Sequence, residues 1–212
     1  MSMPRDTAPA FDSRSGLEAR LDAQLDAVSD DALLILYARG DAEAARVLTG
    51  RHLGRVYGFA ARLLGDRAEA EDVAQEAMLR MWRVAGQWRS GEAQLSSWLY
   101  RVTLNLCTDR QRKARRRPTE ALDLVAEPAD ARGDTEAALL QRERMGALEA
   151  GLASLPERQR QAVVLRHIEG LTNPEIAEIM AVGVEAVESL TARGKRALTA
   201  ALADRKSALG LE

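Results

Sequence analysis

The side chains of this chain best equipped for metal ligation or nucleophilic attack are His52, His167 and Cys107, and their placement supports neither chemistry. The histidines stand far apart in the sequence, outside any zinc-ligand spacing, and both read as ordinary helix residues. Cys107 falls at the edge of an apolar helical arc. It reads as a small packing residue, with a redox-sensing thiol as the alternative. A single cysteine also excludes an intramolecular disulfide. Nothing matches a phosphate-cradling glycine loop or a nucleophile motif. The sequence therefore predicts no catalytic residue, no metal and no cofactor, and a protein that is not an enzyme.

What the chain offers instead is organised charge. Its formal net charge is only −2, yet Arg101 to Arg117 carries seven bases against Asp109, a local charge of +6. The next stretch, Pro118 to Ala138, reverses sign to −5. A basic face followed by an acidic segment suits polyanion binding next to a strand that enters a basic channel; a solvated helix end and a disordered linker read equally well from charge alone. Placed on a helix, SWLYRVTLNLCTDRQRKARRR from Ser97 puts Trp98, Leu99, Val102, Thr103 and Leu106 on one side. Arg101, Asn105, Thr108, Arg112 and Arg115 gather on the other. Arginines position a phosphate backbone and an Asn holds a base edge, so this mixture suits DNA, and Arg116 extends the phosphate-binding end. The alternative is a solvated amphipathic helix with Asp109 paired to Arg112 or Lys113.

A second pattern lies in Ala70 to Trp82. At 100° per residue, Val73, Ala74, Ala77, Met78 and Met81 form a core-facing arc. The opposite arc holds Asp72, Gln75, Glu76 and Arg83, with Leu79 in their midst. An exposed Leu is ordinary, but an apolar centre with a polar rim also has the makeup of a protein-contact patch.

The third lies between Leu155 and Leu198. Pro156 opens a helix that Gly170 ends. A short helix follows, capped by Thr172 with Glu175 as a capping box, or by Asn173 with Pro174 in the first turn. Ala181-Val182-Gly183 supplies a turn, and a longer helix starts at Val184. Val187, Leu190, Thr191, Gly194, Leu198 and Ala201 face inward, while Glu185, Ser189, Ala192, Arg193 and Arg196 face out. This is a helix-turn-helix arrangement suited to a major groove, or a simple packed three-helix unit.

The elements that must hold these faces follow from composition. Only 4% of residues are aromatic, Ala, Leu, Arg and Glu abound, and β-branched runs are few, which predicts an all-α protein. Residues 1–28 read as a flexible extension. Residues 29–117 read as a helical domain with breaks at Arg39-Gly40-Asp41, at Leu64-Gly65-Asp66 and around Gln87 to Gln94. An acidic linker follows over 118–134, and a second helical domain over 135–212. No apolar run reaches bilayer-spanning length and the first residues lack a signal-peptide core, so a cytoplasmic protein is expected.

Ala70-Glu71-Asp72-Val73, Gln75-Glu76 and Arg80-x-Trp82 resemble region 2.2 of sigma-70-family factors. Trp98-Leu99-Tyr100-Arg101, Asn105, Asp109 and Arg112 resemble regions 2.3 to 2.4 of small sigma factors. Leu155-Pro156-x-Arg158-Gln159-Arg160, Glu169-Gly170-Leu171 and Glu175-Ile176-Ala177 resemble region 4. The resemblance is to the extracytoplasmic-function (group 4) type and covers about Ser29 to Ala203. It implies a sigma factor that binds core RNA polymerase and promoter DNA, with an anti-sigma factor as a further partner and no membrane segment. Asp72, Gln75, Glu76, Leu79 and Arg83 would dock on the polymerase. Arg101, Asn105, Thr108, Arg112, Arg115 and Arg116 would bind the minus-ten element, with Trp88 to Ser96 as the loop receiving a flipped base. Thr172, Glu185, Ser189, Arg193 and Arg196 would bind the minus-thirty-five element. Glu188 and Leu190 stand where many members carry Lys and Arg, and Gly183 where a Ser cap is usual, so the promoter sequence does not carry over. The rival readings are a free-standing helix-turn-helix regulator and an all-helical protein-binding adaptor.

Overall fold

The computed structural model describes residues 27–91, 93–116 and 136–203, and every regular element among them is helical, as expected. The N-terminal half holds α1 (Asp30–Ala38), α2 (Ala42–Leu64), α3 (Arg67–Val84), a 3-10 turn (Ala85–Gln87) and α4 (Leu95–Arg116). The C-terminal half holds α5 (Glu136–Ala153), α6 (Glu157–Val163), a π-helical turn (Val164–Ile168), α7 (Asn173–Met180) and α8 (Val184–Ala203). The expected extension up to Asp26, the linker over 118–134, Arg117 and the last nine residues lie outside the described residues.

Local chemistry sets the helix ends. The Ser29 hydroxyl accepts from the Ala32 amide at 3.3 Å and starts α1. The Asp41 carboxylate accepts from the Glu43 and Ala44 amides at 2.9 and 3.1 Å and starts α2. Gly65, at φ 72°, ends α2 in the left-handed conformation that costs glycine nothing, and Asp66 then caps α3 through the Glu69 amide at 3.0 Å. Each such cap is worth about 1 kcal/mol.

Two apolar clusters fill the interior. Leu33 and Leu34 of α1 meet Leu48 and Val56 of α2, Ala77 and Met81 of α3, and Leu95 and Leu99 of α4. The second cluster joins the halves, with Phe59, Leu63, Val73, Tyr100, Leu104 and Cys107 packed with Leu152, Leu155, Val163, Leu165 and Ile176. Because α4 packs on α2 and α3 and on α7 as well, its deeply buried face is wider than one helical arc. Leu99, Tyr100, Thr103, Leu104 and Cys107 are buried, whereas Trp98, Val102 and Leu106, expected on the packed side, are half-buried.

In the C-terminal half α8 lies close against α6 because residue 194 has no side chain. A Cβ there would sit 2.6 Å from Val163 Cγ2. Further along, Leu198 and Leu202 of α8 reach Gly151 of α5, so Leu202 is half-buried and Ala201, expected to face inward, is exposed. Ala181-Val182-Gly183 forms the turn before α8, as expected, with Ala181 in the left-handed conformation at φ 52°. The Val182 amide reaches back to Ala177 O at 3.0 Å and closes the end of α7, which offsets the roughly 1–2 kcal/mol an L-residue costs there.

Candidate nucleic-acid and protein interfaces

The polar face of α3 is a compact patch. Met78 is 5% exposed and Leu79 is 49% exposed, so the one-residue step from core to surface falls where the wheel places it. Asp72, Gln75 and Arg83 are exposed around Leu79, and Glu76 is half-buried. The Glu76 carboxylate is held by Arg80 Nε at 2.9 Å and Arg83 Nη1 at 3.6 Å, and the Arg80 hydrogen bond keeps its carboxyl below the usual range. Sequence reasoning gave Arg110 no role here. Its guanidinium donates to Glu69 O at 2.6 Å, pairs with the Glu69 carboxylate at 3.1 Å and lies 3.9 Å from Asp72, tying the rim of the patch to α4.

On α4, Arg101, Asn105, Arg112, Arg115 and Arg116 are exposed and Thr108 is half-buried. All of them but Arg116 line a cleft of about 790 Å³, the opposite wall of which is α6 and α7, with Glu157, Glu178 and Met180. Arg115 pairs with Glu157 at 3.0 Å across this cleft, and Arg112 lies 4.0 Å from Asp109, the local pairing that charge spacing had offered as an alternative. A cleft of this volume has the scale of a small-molecule pocket and does not admit a DNA duplex.

Deeper in the seam, the Tyr100 hydroxyl donates to the Glu169 carboxylate. The Glu169 side chain is 7% exposed and also lies 3.7 Å from Arg62 Nη1 of α2. Burial first, and Glu169 second, push the Tyr100 phenol well above its ordinary value. The Tyr100 ring stands edge-on to Phe59 at 5.2 Å, with Arg55 5.7 Å from its centre. Sequence gave no sign of this pairing between residues 69 positions apart. The available hint was a carboxylate directly beside the apolar positions that end a helix before Gly170.

The loop between the 3-10 turn and α4 is anchored to α1. Trp88 Nε1 donates to Asp31 Oδ1 at 2.9 Å, the Gly91 amide donates to Asp31 Oδ2 at 3.3 Å, and Trp88 stands edge-on to Trp98 at 6.0 Å. Beside it lies an open depression of about 430 Å³, lined by Ser29, Asp31, Gly91, Gln94 and Ser96 among others.

On α8, Glu185, Ser189, Ala192, Arg193 and Arg196 are all exposed on the side away from buried Val187 and Gly194. Arg193 Nε donates to Ser189 O at 3.3 Å. Thr172 is exposed at the start of α7, where the Glu175 carboxylate accepts from its amide at 2.7 Å and its hydroxyl at 2.6 Å, which lowers the Glu175 pKa. The expected capping box is thus present, with Pro174 behind it in the first turn.

The groups considered for reactive chemistry are placed differently. Cys107 is 1% exposed and burial pushes its thiol up to about 12, so it is protonated at neutral pH and packs as an apolar side chain. His52, 4% exposed, is hydrogen-bonded to Asp30 Oδ2 at 2.7 Å, and Arg51 pairs with the same carboxylate at 2.6 Å. The His52 bond, then Arg51, hold the Asp30 carboxyl below its ordinary value despite partial burial. Among the described residues no group of His, Cys, Asp and Glu is arranged to hold a metal ion, and no helix is long and apolar enough to cross a membrane.

Comparison with known proteins follows the same division of the chain. A family model described as sigma-70 region 2 matches residues 48–117, and one described as sigma-70, region 4, matches 145–198. The chain is 33% identical over 182 residues to the RNA polymerase sigma-H factor of Pseudomonas aeruginosa, covering 82% of this chain and 93% of that one. It is 34% identical over 170 residues to the ECF RNA polymerase sigma factor SigM of Mycobacterium tuberculosis, covering 80% and 83%. With the ECF RNA polymerase sigma factor SigW of Bacillus subtilis it shares 32% over 178 residues, covering 78% and 92%. Among solved structures, CnrH in complex with the cytosolic domain of CnrY matches at a TM-score of 0.60 and 26% identity, covering 82% of this chain and 97% of that one. The sigma factor RpoE of Bartonella quintana, solved with the anti-sigma factor NepR, shares the fold at a TM-score of 0.58 and 20% identity, covering 74% and 95%.

Proposed function

This chain belongs to the sigma-70 family and is a sigma factor of the extracytoplasmic-function type, which binds core RNA polymerase and directs it to promoters; we propose that it does so through three separate faces. The α3 patch of Leu79 with Asp72, Gln75, Glu76 and Arg83 docks on the polymerase. The α4 face of Arg101, Asn105, Thr108, Arg112, Arg115 and Arg116 binds the minus-ten element, its arginines on phosphates and Asn105 on a base edge. The exposed side of α8, with Glu185, Ser189, Arg193 and Arg196, enters the major groove at the minus-thirty-five element, with Thr172 at its flank. Residues 29–117 and 135–212 act as two DNA-contacting domains, and the acidic stretch 118–134 runs in a basic channel of the polymerase. Held on one polymerase, the second DNA contact becomes intramolecular, so modest affinities combine into a specific complex.

An anti-sigma factor is proposed as a further partner, in keeping with the complexes of CnrH and Bartonella RpoE. The protein is proposed to act in the cytoplasm and to catalyse no reaction itself. The rival reading, a free-standing regulator acting through the exposed side of α8, predicts tight, sequence-specific duplex binding by the chain without polymerase.

The observation that carries this reading is the step from buried Met78 to exposed Leu79 inside a rim of charged and amide groups. Leu79→Ala is expected to leave the thermal melt nearly unchanged and to weaken competition for core polymerase by about 1–2 kcal/mol. Met78→Ala is the control and is expected to cost about 2–5 kcal/mol of stability. If Leu79→Ala destabilises the fold as much as Met78→Ala, or competes as well as wild type, the docking face lies elsewhere.

A further inference from the structure

We propose that Asp31 is a positioning residue for single-strand recognition: from α1 it holds the 88–91 turn so that the adjoining depression keeps the shape needed to read one extruded base. This rests on the reading of α4 and its preceding loop as the minus-ten surface.

Asp31 sits in the first turn of α1, where a carboxylate favours the helix dipole. Its two oxygens, however, are directed to the loop, one accepting from the Trp88 indole at 2.9 Å and the other from the Gly91 amide at 3.3 Å. Gly91 lies at φ 86°, so the amide held by Asp31 belongs to the residue that makes the tight turn. On its other side Trp88 rests edge-on against Trp98 of α4. The turn is thus clamped between α1 and α4.

Asp31 is not needed to hold α1 itself. The Ser29 cap, the Asp30 contacts to Arg51 and His52, and buried Leu33 and Leu34 already do that. What depends on Asp31 is the Gly91 side of the rim of the 430 Å³ depression, which Asp31 itself lines together with Gln94 and Ser96. Hydroxyl and amide groups of Ser29, Ser96 and Gln94 are suited to a base edge, and the neighbouring hollow along Gln94, Ser97 and Trp98 continues to Arg101 of the phosphate-binding face. A site that reads one base needs its walls fixed to within about half an ångström, and the Asp31 clamp supplies that restraint.

The test uses holoenzyme reconstituted from the full chain and core polymerase, on fork templates whose minus-ten strand is single-stranded. Each template position is varied through all four bases, on a promoter obtained by selection with the wild type. One specifically read base gives roughly five- to hundredfold discrimination. Asp31→Ala is expected to remove most of that discrimination at one position, leaving core-polymerase affinity and preferences on α8-contacted duplex unchanged. Trp88→Phe keeps the aromatic contact but removes the donor, and it is expected to give the same loss. The double variant is expected to lose no more than either single one, and Asp31→Asn, which keeps an acceptor for Trp88, to recover part of the loss. A purely structural residue would lower melting temperature and core affinity together and leave base preference unchanged. Discrimination that is lost in Gln94→Ala yet intact in both Asp31→Ala and Trp88→Phe overturns the role of Asp31 and spares the minus-ten reading. A wild type that discriminates at no single-stranded position overturns both.

Discussion

Tyr100→Phe removes one hydrogen bond across the seam between the halves while leaving the ring where Phe59 packs against it, 5.2 Å away. The acceptor, Glu169, has a side chain only 7% exposed and keeps Arg62 at 3.7 Å, so the loss is that of a hydrogen bond to a charged group. Such bonds are worth about 1.5–3 kcal/mol, which shifts the ratio of closed to parted halves by roughly 10- to 100-fold. The cleft in which Arg101 and Asn105 face α6 and α7 opens in proportion. The free protein's affinity for a single-stranded minus-ten oligonucleotide is then expected to rise by up to the same factor, until the parted form dominates. Distances between spin labels on cysteines introduced at the exposed positions Gln87 and Ala192 provide the direct assay. Native Cys107 will not compete for label, being buried with its thiol pushed up to about 12. Wild type is expected to give a narrow distance distribution, and Tyr100→Phe and Glu169→Gln a broader, longer one. The pH dependence has a definite sign. The phenol's folded pKa is raised, so its contribution is complete below the unfolded value of about 10 and is lost as pH rises above it; Tyr100→Phe lacks this alkaline limb. Variant distances and oligonucleotide affinities identical to wild type would refute the assignment of Tyr100 and Glu169 as the closure contact.

Replacing Arg112, Arg115 and Arg116 with Ala is expected to weaken holoenzyme binding across promoter sequences and to flatten the log–log salt slope by roughly 0.9 per lost phosphate contact; an unchanged slope contradicts the phosphate role. Arg196→Ala is expected to relax preference at one or two base pairs of the minus-thirty-five element by about 1–3 kcal/mol each, and identical selected sequences would show the wrong face of α8 had been assigned. Asp30→Ala leaves buried His52 without its carboxylate acceptor, for an expected loss of about 1–3 kcal/mol at neutral pH. Because the Asp30 pKa is lowered in the folded state, its contribution is present above about pH 4 and lost as pH falls through the folded value, so the variant's acid unfolding limb is expected to be shallower.

What was legible in the sequence is what neighbouring residues decide. Asp41, Gly65 and Asp66 mark helix ends because their side-chain or backbone conformations satisfy amides and carbonyls within four residues. The outward face of α8 and the exposure of Leu79 follow from 3.6-residue periodicity on helices packed along one side. On α4, which is buried by its own half and by α7, a single apolar arc placed Trp98, Val102 and Leu106 against the core, where they pack half-buried, but missed the further burial of Tyr100 and Leu104. Periodicity failed at Ala201 because α8 turns its last residues toward Gly151 through Leu198 and Leu202. Long-range polar contacts had no local signature. Arg110 belonged to a basic run and proved to be tied to Glu69, and Asp31 looked like a helix-start carboxylate and proved to hold a turn 57 to 60 residues away. The left-handed Ala181 was likewise hidden, because Gly183 two residues later is the residue that favours that conformation.

Run-off transcription over a genomic promoter library, with purified core RNA polymerase and the full chain, decides whether this sigma factor directs polymerase to promoters of its own. Discrete start sites are expected only when the chain is added, each preceded by a shared pair of minus-thirty-five and minus-ten elements, and they are expected to be lost when Leu79→Ala replaces wild type at limiting concentration. Start sites unaffected by the chain, together with sequence-specific duplex binding by the chain in the absence of polymerase, would contradict that role.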